Sequence, residues 1–532
     1  MRRCAAGEAY LRTGECDRCQ AGTYLSEPAC TPTQCLECPL NSKCYGGSQF
    51  GPAPSFWRES AESFNMHACY NPSACLGAQE TSLEKEANGQ FKPEGKCAPH
   101  YTGQLCSECE EGFSRNSLFE CARCPPLAIN LILSLLLGVL SATLMGLLIW
   151  TTVRSMARPR SLFSSYVRLL ASHLQQLALL ASFRFDWPQE VAQLLAAFSS
   201  VADAPSQLLS LDCLLSSLVP ILPRFYSWVL LYSVLLPAFG LLSLGFVAWV
   251  DWPCSQPSSS AHAPDDPPVP RRRRAPCGAR FRPAALVFLF LVHPGVTQTL
   301  FQLFNCVYIE GEPRLVEALS QECWTGRHLS LAASVGALWL AMWVVGLPLG
   351  TGLMLREKAA QLANSGVKPQ LGFLYAGFTR RTYFWEVLSM ARKEAVAALS
   401  TFLVPYGTTV QALLLLALLL MSLLLQLRLR PYETPLLNSL ETASLAALLV
   451  SVFAGLFFLG HREEGSPFYR PGTDFALSSA MRWLLFFVVL LINFWFFLRL
   501  SVRLLGHARV KVRLKYPRFY LACCLCFSRR LL

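Results

Sequence analysis

The sequence predicts an all-α, multi-pass membrane protein of about nine transmembrane helices that carries a small disulfide-rich, loop-rich extracellular domain. Three observations predict it. Of the 22 cysteines, 14 fall within residues 1–124. Beyond them, runs of about 20 mostly apolar residues recur, each long enough to cross a hydrocarbon core as a helix. Charged residues make up only 15% of the chain and hydrophobic residues 53%, whereas a soluble domain averages about a quarter charged. Lipid offers the backbone no hydrogen-bond partners, so the spans must be helical.

Residues 1–124 read as the cysteine-rich extracellular domain. Four CxxC pairs occur there: Cys16/Cys19, Cys35/Cys38, Cys106/Cys109 and Cys121/Cys124. Such pairs also make zinc sites, and the last four cysteines alone would pass as a four-thiolate set. Disulfides are favoured, because the count is even and the remaining cysteines have no histidine at zinc-like spacing. The candidates are therefore Cys16, Cys19, Cys35, Cys38, Cys44, Cys106, Cys109, Cys121 and Cys124, with connectivity open, and no metal is expected. Turns rich in Gly, Pro and Asn leave little room for a core. The head then depends on its bridges, each typically stabilising by about 2–4 kcal/mol.

Spans are read at 127–150, 161–183, 225–250, 284–304, 328–355, 385–404, 408–427, 438–460 and 477–499. Helices 1–3 fall within 125–250 and helices 4–9 within 284–499. Residues 251–283, rich in Pro and Ser and carrying Arg271–Arg274, read as a disordered basic cytosolic linker. Residues 500–532 read as a basic cytosolic tail. With the head outside, the inner segments hold 25 Lys+Arg and the outer ones 6, the positive-inside pattern. An odd number of spans puts the C-terminus in the cytosol, and the plasma or ciliary membrane is the expected location. The opening residues lack the apolar core of a signal peptide, so the chain is expected to be a fragment of a longer precursor. Net charge is −4 over residues 1–124 and +16 over the rest. The basic excess belongs to the membrane part and does not imply nucleic acid.

The fourth span carries His293, Pro294 and Gly295 near its middle, where an interruption is expected. Gly295, Gln298, Gln302 and Asn305 follow on one helical face. Amides on lipid are costly, so this face looks at protein or water. It lines a permeation path, or it supplies interhelical hydrogen bonds of about 0.6 kcal/mol each. The sixth span holds Glu386, Arg392, Lys393 and Glu394. They form a gating or ion-coordinating network, or their charges snorkel from a helix that starts in the cytosol. Glu441, three residues after Asn438, reads as part of a capping box. Arg168, Ser172, Gln175 and Gln176 give the second span a polar face suited to the bundle interior.

Cys306 and Cys323 flank one outer loop and are expected to pair, leaving Cys213 outside and unpaired. Cys523, Cys524 and Cys526 follow a basic run and are palmitoylation candidates or plain reduced thiols. P-loop, zinc-protease, dinucleotide and kinase motifs are absent, so neither enzymatic activity nor a cofactor is expected.

Two resemblances add to this reading. "CLECPLNSKCYGG" from Cys35 and "YTGQLCSECEEGF" from Tyr101 resemble ephrin-receptor-like and EGF/laminin-like cysteine modules. "SLDC" from Ser210, "HPGVTQTLFQLFNC" from His293, "ECWTGRH" from Glu322, "GFLYAGF" from Gly372, "YFWE" from Tyr383 and "LRLRPYETPLLNSLET" from Leu427 together resemble the TRP-like C-terminal domain of algal and protist membrane proteins. More distantly they resemble the fungal TRP-like flavin-carrier family and the polycystins. The resemblance implies a cation-channel-like protein or channel-like sensor whose head receives a force or an extracellular ligand. Inorganic cations would be its partners; the apolar runs imply the lipid bilayer, and the small-residue stripe Gly138, Ala142 and Gly146 needs a packing partner, within the chain or in a second copy as a homo-oligomer. A transporter or lipid-handling protein, and an adhesion receptor with scaffold-only helices, are the alternatives.

Overall fold

The computed structural model describes residues 3–78, 95–115, 119–156, 162–181, 183, 281–362, 367–457 and 479–515, and isolated residues between 213 and 245. Most of the expected third span, nearly all of the 251–283 linker and Cys523, Cys524 and Cys526 lie outside the described residues.

The head is a chain of short antiparallel hairpins, among them Ser42–Gly46 with Gln49–Pro52 and Phe56–Trp57 with His67–Ala68. Among the described residues no strand in it exceeds five residues. Cystine sulfur takes the place of a hydrocarbon core: Cys4, Cys19, Cys44, Cys69, Cys75, Cys106 and Cys109 are all buried, with few large apolar side chains beside them. The bridges are Cys4–Cys16, Cys19–Cys35, Cys38–Cys44, Cys69–Cys75, Cys97–Cys106 and Cys109–Cys121. No CxxC pair closes on itself, and the four-thiolate zinc alternative is divided among three separate bridges.

The expectation that the head pairs only within itself is corrected. Cys124 bonds to Cys213, the cysteine expected to be unpaired. Cys30 remains a free, exposed thiol. The even count was a coincidence: the segment after the second helix supplies one half-cystine.

Among the described residues the helices that follow are α1 (Leu127–Met156), α2 (Phe163–Ala181), α3 (Phe281–Leu303), α4 (Gly326–Glu357), α5 (Lys368–Tyr375), α6 (Trp385–Phe402), α7 (Thr408–Leu429), α8 (Pro435–Leu456) and α9 (Ser479–Lys515). Among the described residues, six are long and apolar enough to cross a membrane: α1, α3, α4, α7, α8 and α9. Long stretches of α1 present bare leucine, as at Leu135 and Leu136, which suits hydrocarbon rather than water.

α2 and α6 are more polar, and the bundle packs around them. α2 touches α1, α6, α8 and α9, while α6 touches α3, α4 and α7. Their hydrophilic faces are thereby withdrawn from lipid. The expected break at His293–Pro294–Gly295 is absent, and α3 runs continuously through it. Proline removes one donor and crowds the carbonyl four residues earlier, that of Phe290; the Gln175 side chain donates to the adjacent Leu291 carbonyl. α4 instead carries the irregularity, with π-helical turns at Ala332–Gly336 and Ala341–Gly346.

Between α3 and α4 the chain forms a three-stranded antiparallel sheet, Cys306–Ile309, Glu312–Leu315 and Ala318–Glu322. Cys306–Cys323 ties its two ends, as the sequence predicts. Leu319 and Ile309 of this sheet pack with Leu105, Trp57 and Tyr70 of the head, so head and sheet occupy the same end of the bundle.

Candidate polar core of the helix bundle

The charges of α6 are drawn inward. Glu386 is 3% exposed and Lys393 1%, so the snorkelling alternative is corrected. A helix that began in the cytosol would leave these groups wet, whereas α6 begins at Trp385 and turns them towards α2, α3 and α8.

Each charge has a partner on another helix. Arg168 of α2 places Nε 3.1 Å from a Glu386 carboxylate oxygen. Its terminal nitrogens donate to the backbone carbonyls of Phe373 and Ala376, and its guanidinium lies 4.3 Å from the Phe378 ring centroid. Arg392 donates to Glu441 of α8 at 3.0 Å. Lys393 donates to the Gln175 side-chain oxygen at 2.9 Å and sits 4.2 Å from the Phe290 ring. The Gln175 amide donates in turn to the Leu291 carbonyl at 2.8 Å, one turn before Pro294. That chain, α6 to α2 to α3, braces the helix where proline loosens it. His293 Nε2 lies 3.1 Å from the Trp343 carbonyl, within the second π-helical turn, and 3.0 Å from Glu394.

Three cations and three carboxylates thus share one largely buried region, with His293 and the partly exposed Glu394 at its edge. Equal numbers matter, because an uncompensated charge in a low-dielectric interior costs several kcal/mol. A second polar node lies towards α9. Buried His173 meets the Ser444 hydroxyl at 2.8 Å, and Asn493 donates to Ser451 at 3.0 Å.

The arrangement corrects the capping-box reading. The N-cap of α8 is Thr434, whose hydroxyl accepts from Leu437 N–H at 3.4 Å. Asn438 holds the loop through the Tyr432 N–H and carbonyl. Glu441 lies beyond the first turn, buried, and faces Arg392. Its i+3 spacing from Asn438 is what misleads.

The amides of α3 behave differently. Gln298 and Gln302 are half-buried and form no side-chain hydrogen bond among the described residues, while Asn305 is buried at the end of α3. Of the residues singled out from the sequence, His293, Glu386, Arg392, Lys393 and Glu394 come together and the amides stand apart. Glu441, His173 and Asn493 were missed as members of this core. Asn493 had a signal: it is a lone amide in the apolar run of α9.

Gly377 shows how tightly the Arg168 anchor is drawn. Its φ is +92°, and an added Cβ would lie 2.7 Å from the Ser165 hydroxyl. That hydroxyl donates to the Ala376 carbonyl, which also serves Arg168. Gly377→Ala is expected to cost about 1–3 kcal/mol, read as a lowered unfolding midpoint in detergent.

The fold and this core define a class: a helical bundle with six helices suited to a bilayer, a buried charge cluster and a disulfide-rich head. The chain is similar to the Cysteine repeat modular protein A of Toxoplasma gondii, 25% identical over 457 residues, which is 72% of this chain and 14% of that protein. The chain thus spans about a seventh of that relative's length. No family model matches the chain, the TRP-like and polycystin families included, and no solved structure matches it.

Proposed function

We propose that the chain is a nine-span membrane sensor of cation-channel type, with the head outside and the C-terminus in the cytosol. Chain connectivity supports the third crossing. Tyr226 and Val229 pack with Leu303 and Cys323 at the head end. Gly240 abuts the Phe288 ring and Leu244 joins the cluster of Ile149, Phe288 and Leu355 further from the head. α3 then starts from the far end and returns. α2 and α6 would complete the nine, their polar faces shielded by the apolar six.

The single observation that carries the channel reading is the buried six-charge cluster where α2, α3, α6 and α8 meet. Ionisable residues at membrane depth are costly and mark ion paths, relays or sensors. An interior of paired charges has more than one way to pair, which gives a bundle two discrete arrangements to choose between. The half-buried amides of Gln298 and Gln302, nearer the head, would line the path that opens, and a force or ligand at the head would bias the choice.

The test is reconstitution of the full chain in planar bilayers under stretch and voltage. Unitary cation currents are expected, with open probability altered by Glu441→Gln. Folded protein that stays silent would overturn the channel reading, and substrate flux without unitary currents would point to a transporter. One observation favours a receptor with scaffold helices instead: each charged residue of the cluster already has a partner within the protein. On that reading Gln298→Ala with Gln302→Ala changes no transport assay, while removal of the head abolishes function.

A further inference from the structure

The turn between the first two strands of the 306–322 sheet consists of Glu310 and Gly311, with φ of +49° and +89°. A two-residue hairpin turn of this type I′ kind needs positive φ at both positions, and glycine or asparagine fills them at little cost. A glutamate at the first is a strained choice that the hairpin itself does not require. Its use lies across the gap to the head. Its carboxylate accepts from the Ser63 hydroxyl at 2.7 Å and the Asn65 amide at 3.4 Å, and meets His67 Nε2 at 3.1 Å.

The head builds this cradle deliberately. Arg58 is fully buried, stacked on Phe50 with 4.0 Å to the ring centroid. It donates to the carbonyls of Ser63, Phe50 and Ala61. Those bonds fix the loop that presents Ser63 and Asn65. His67 is fixed separately, as the strand partner of Trp57. A guanidinium consumed by three backbone carbonyls of its own domain has one evident task, which is to hold that loop in shape.

We propose that Ser63, Asn65 and His67 form a latch on Glu310 that couples the head to the membrane bundle and tightens when His67 takes up a proton. Histidine is the side chain whose charge ordinarily changes between pH 5 and 8. With neutral imidazole the contact is a single hydrogen bond; with imidazolium it becomes an ion pair. The charged groups on the sheet side are Glu310, Glu312, Arg314, Glu317 and Glu322, and on the head side Arg58, Glu59, Glu62 and Arg115. Glu312 is paired with Arg314, and Glu317 with Arg115, and Glu310 is the carboxylate in contact with His67.

Glu310 stays ionised as this happens. The Ser63 hydroxyl holds its carboxyl below the usual range; burial opposes it less strongly, and the His67 and Asn65 contacts add smaller lowering effects. Its contribution is present above the ordinary carboxylate value and lost only as pH falls through the lowered one. Acidification therefore first tightens the latch through His67 and releases it only at much lower pH. The latch is linked to the bundle by a short route: the sheet is closed by Cys306–Cys323, and His328 of α4 bonds the Leu303 carbonyl at the end of α3 at 3.1 Å. The inference rests on the head and sheet alone and holds whether or not the bundle conducts ions.

The test is hydrogen exchange on the full chain in detergent at pH 7.5 and 6.0, corrected for the intrinsic pH dependence of exchange. Protection of amides 63–67 and 308–312 is expected to rise about two- to five-fold on acidification, the size of a partly exposed ion pair. His67→Gln should keep the protection seen at pH 7.5 and lose the rise. Glu310→Gln, made on the opposite partner, should also abolish the rise. Unchanged protection of the 42–52 hairpin reports that the head stays folded in both variants. Protection that does not change with pH in the unmodified protein, or a rise that His67→Gln retains, would overturn the proposal.

Discussion

Replacing Arg168 with methionine is expected to destabilise the bundle by about 3–5 kcal/mol, because it leaves Glu386 buried without its countercharge. The two partners are not equivalent. Glu386→Gln leaves Arg168 with the Phe373 and Ala376 carbonyls and the Phe378 ring, so a smaller loss is expected. In the double variant no uncompensated charge remains from this pair, and much of the lost stability should return. The ranking, measured as unfolding midpoints in detergent, is unmodified protein, then the double variant, then Glu386→Gln, then Arg168→Met. If the double variant loses as much as Arg168→Met, the cost lies in guanidinium packing on Phe378 and not in the charge, and the ion-pair account is wrong.

Legibility of the fold followed the range of the interaction. Length and apolar content are local properties, and they located α1, α3, α4, α7, α8 and α9 to within a few residues in most cases. The polar face of α2 was equally readable, since Arg168, Ser172 and Gln176 lie on one side and all three are buried. What the chain conceals is pairing between distant segments. Lys393 meets Gln175, 218 residues away, and nothing about either residue names the other. Glu441 illustrates the cost of reading locally. Its spacing from Asn438 fits a cap, yet its carboxylate is claimed by an arginine 49 residues back. Pro294 misled for the same reason: a proline breaks a helix that stands alone, and Gln175 keeps this one company. Cysteine parity failed at Cys124 because a domain boundary drawn in sequence is not a boundary for disulfides.

That bridge carries the other large effect. Cys124–Cys213 closes a segment with a sequence separation of 89, and chain-entropy arguments assign such a loop about 4–5 kcal/mol. The figure is insensitive to what survives unfolding. If α1 and α2 stay helical in the membrane, the flexible loop is roughly halved, and the logarithmic dependence removes only about 0.6 kcal/mol. The double variant Cys124→Ser, Cys213→Ser is therefore expected to lose about 4 kcal/mol of stability at the junction of head and bundle. Exchange at amides 119–124 and a lowered unfolding midpoint would report the loss, while Cys30→Ser should have almost no effect. Peptide mapping without reduction decides the pairing itself. A Cys124–Cys213 cross-linked peptide is expected. A Cys30–Cys124 peptide would restore the self-contained head that the even count suggests and would remove the covalent tie between the head and the segment after α2. The latch at Glu310, the Arg115–Glu317 pair and the Leu105 contact would then be left to hold the head on the bundle.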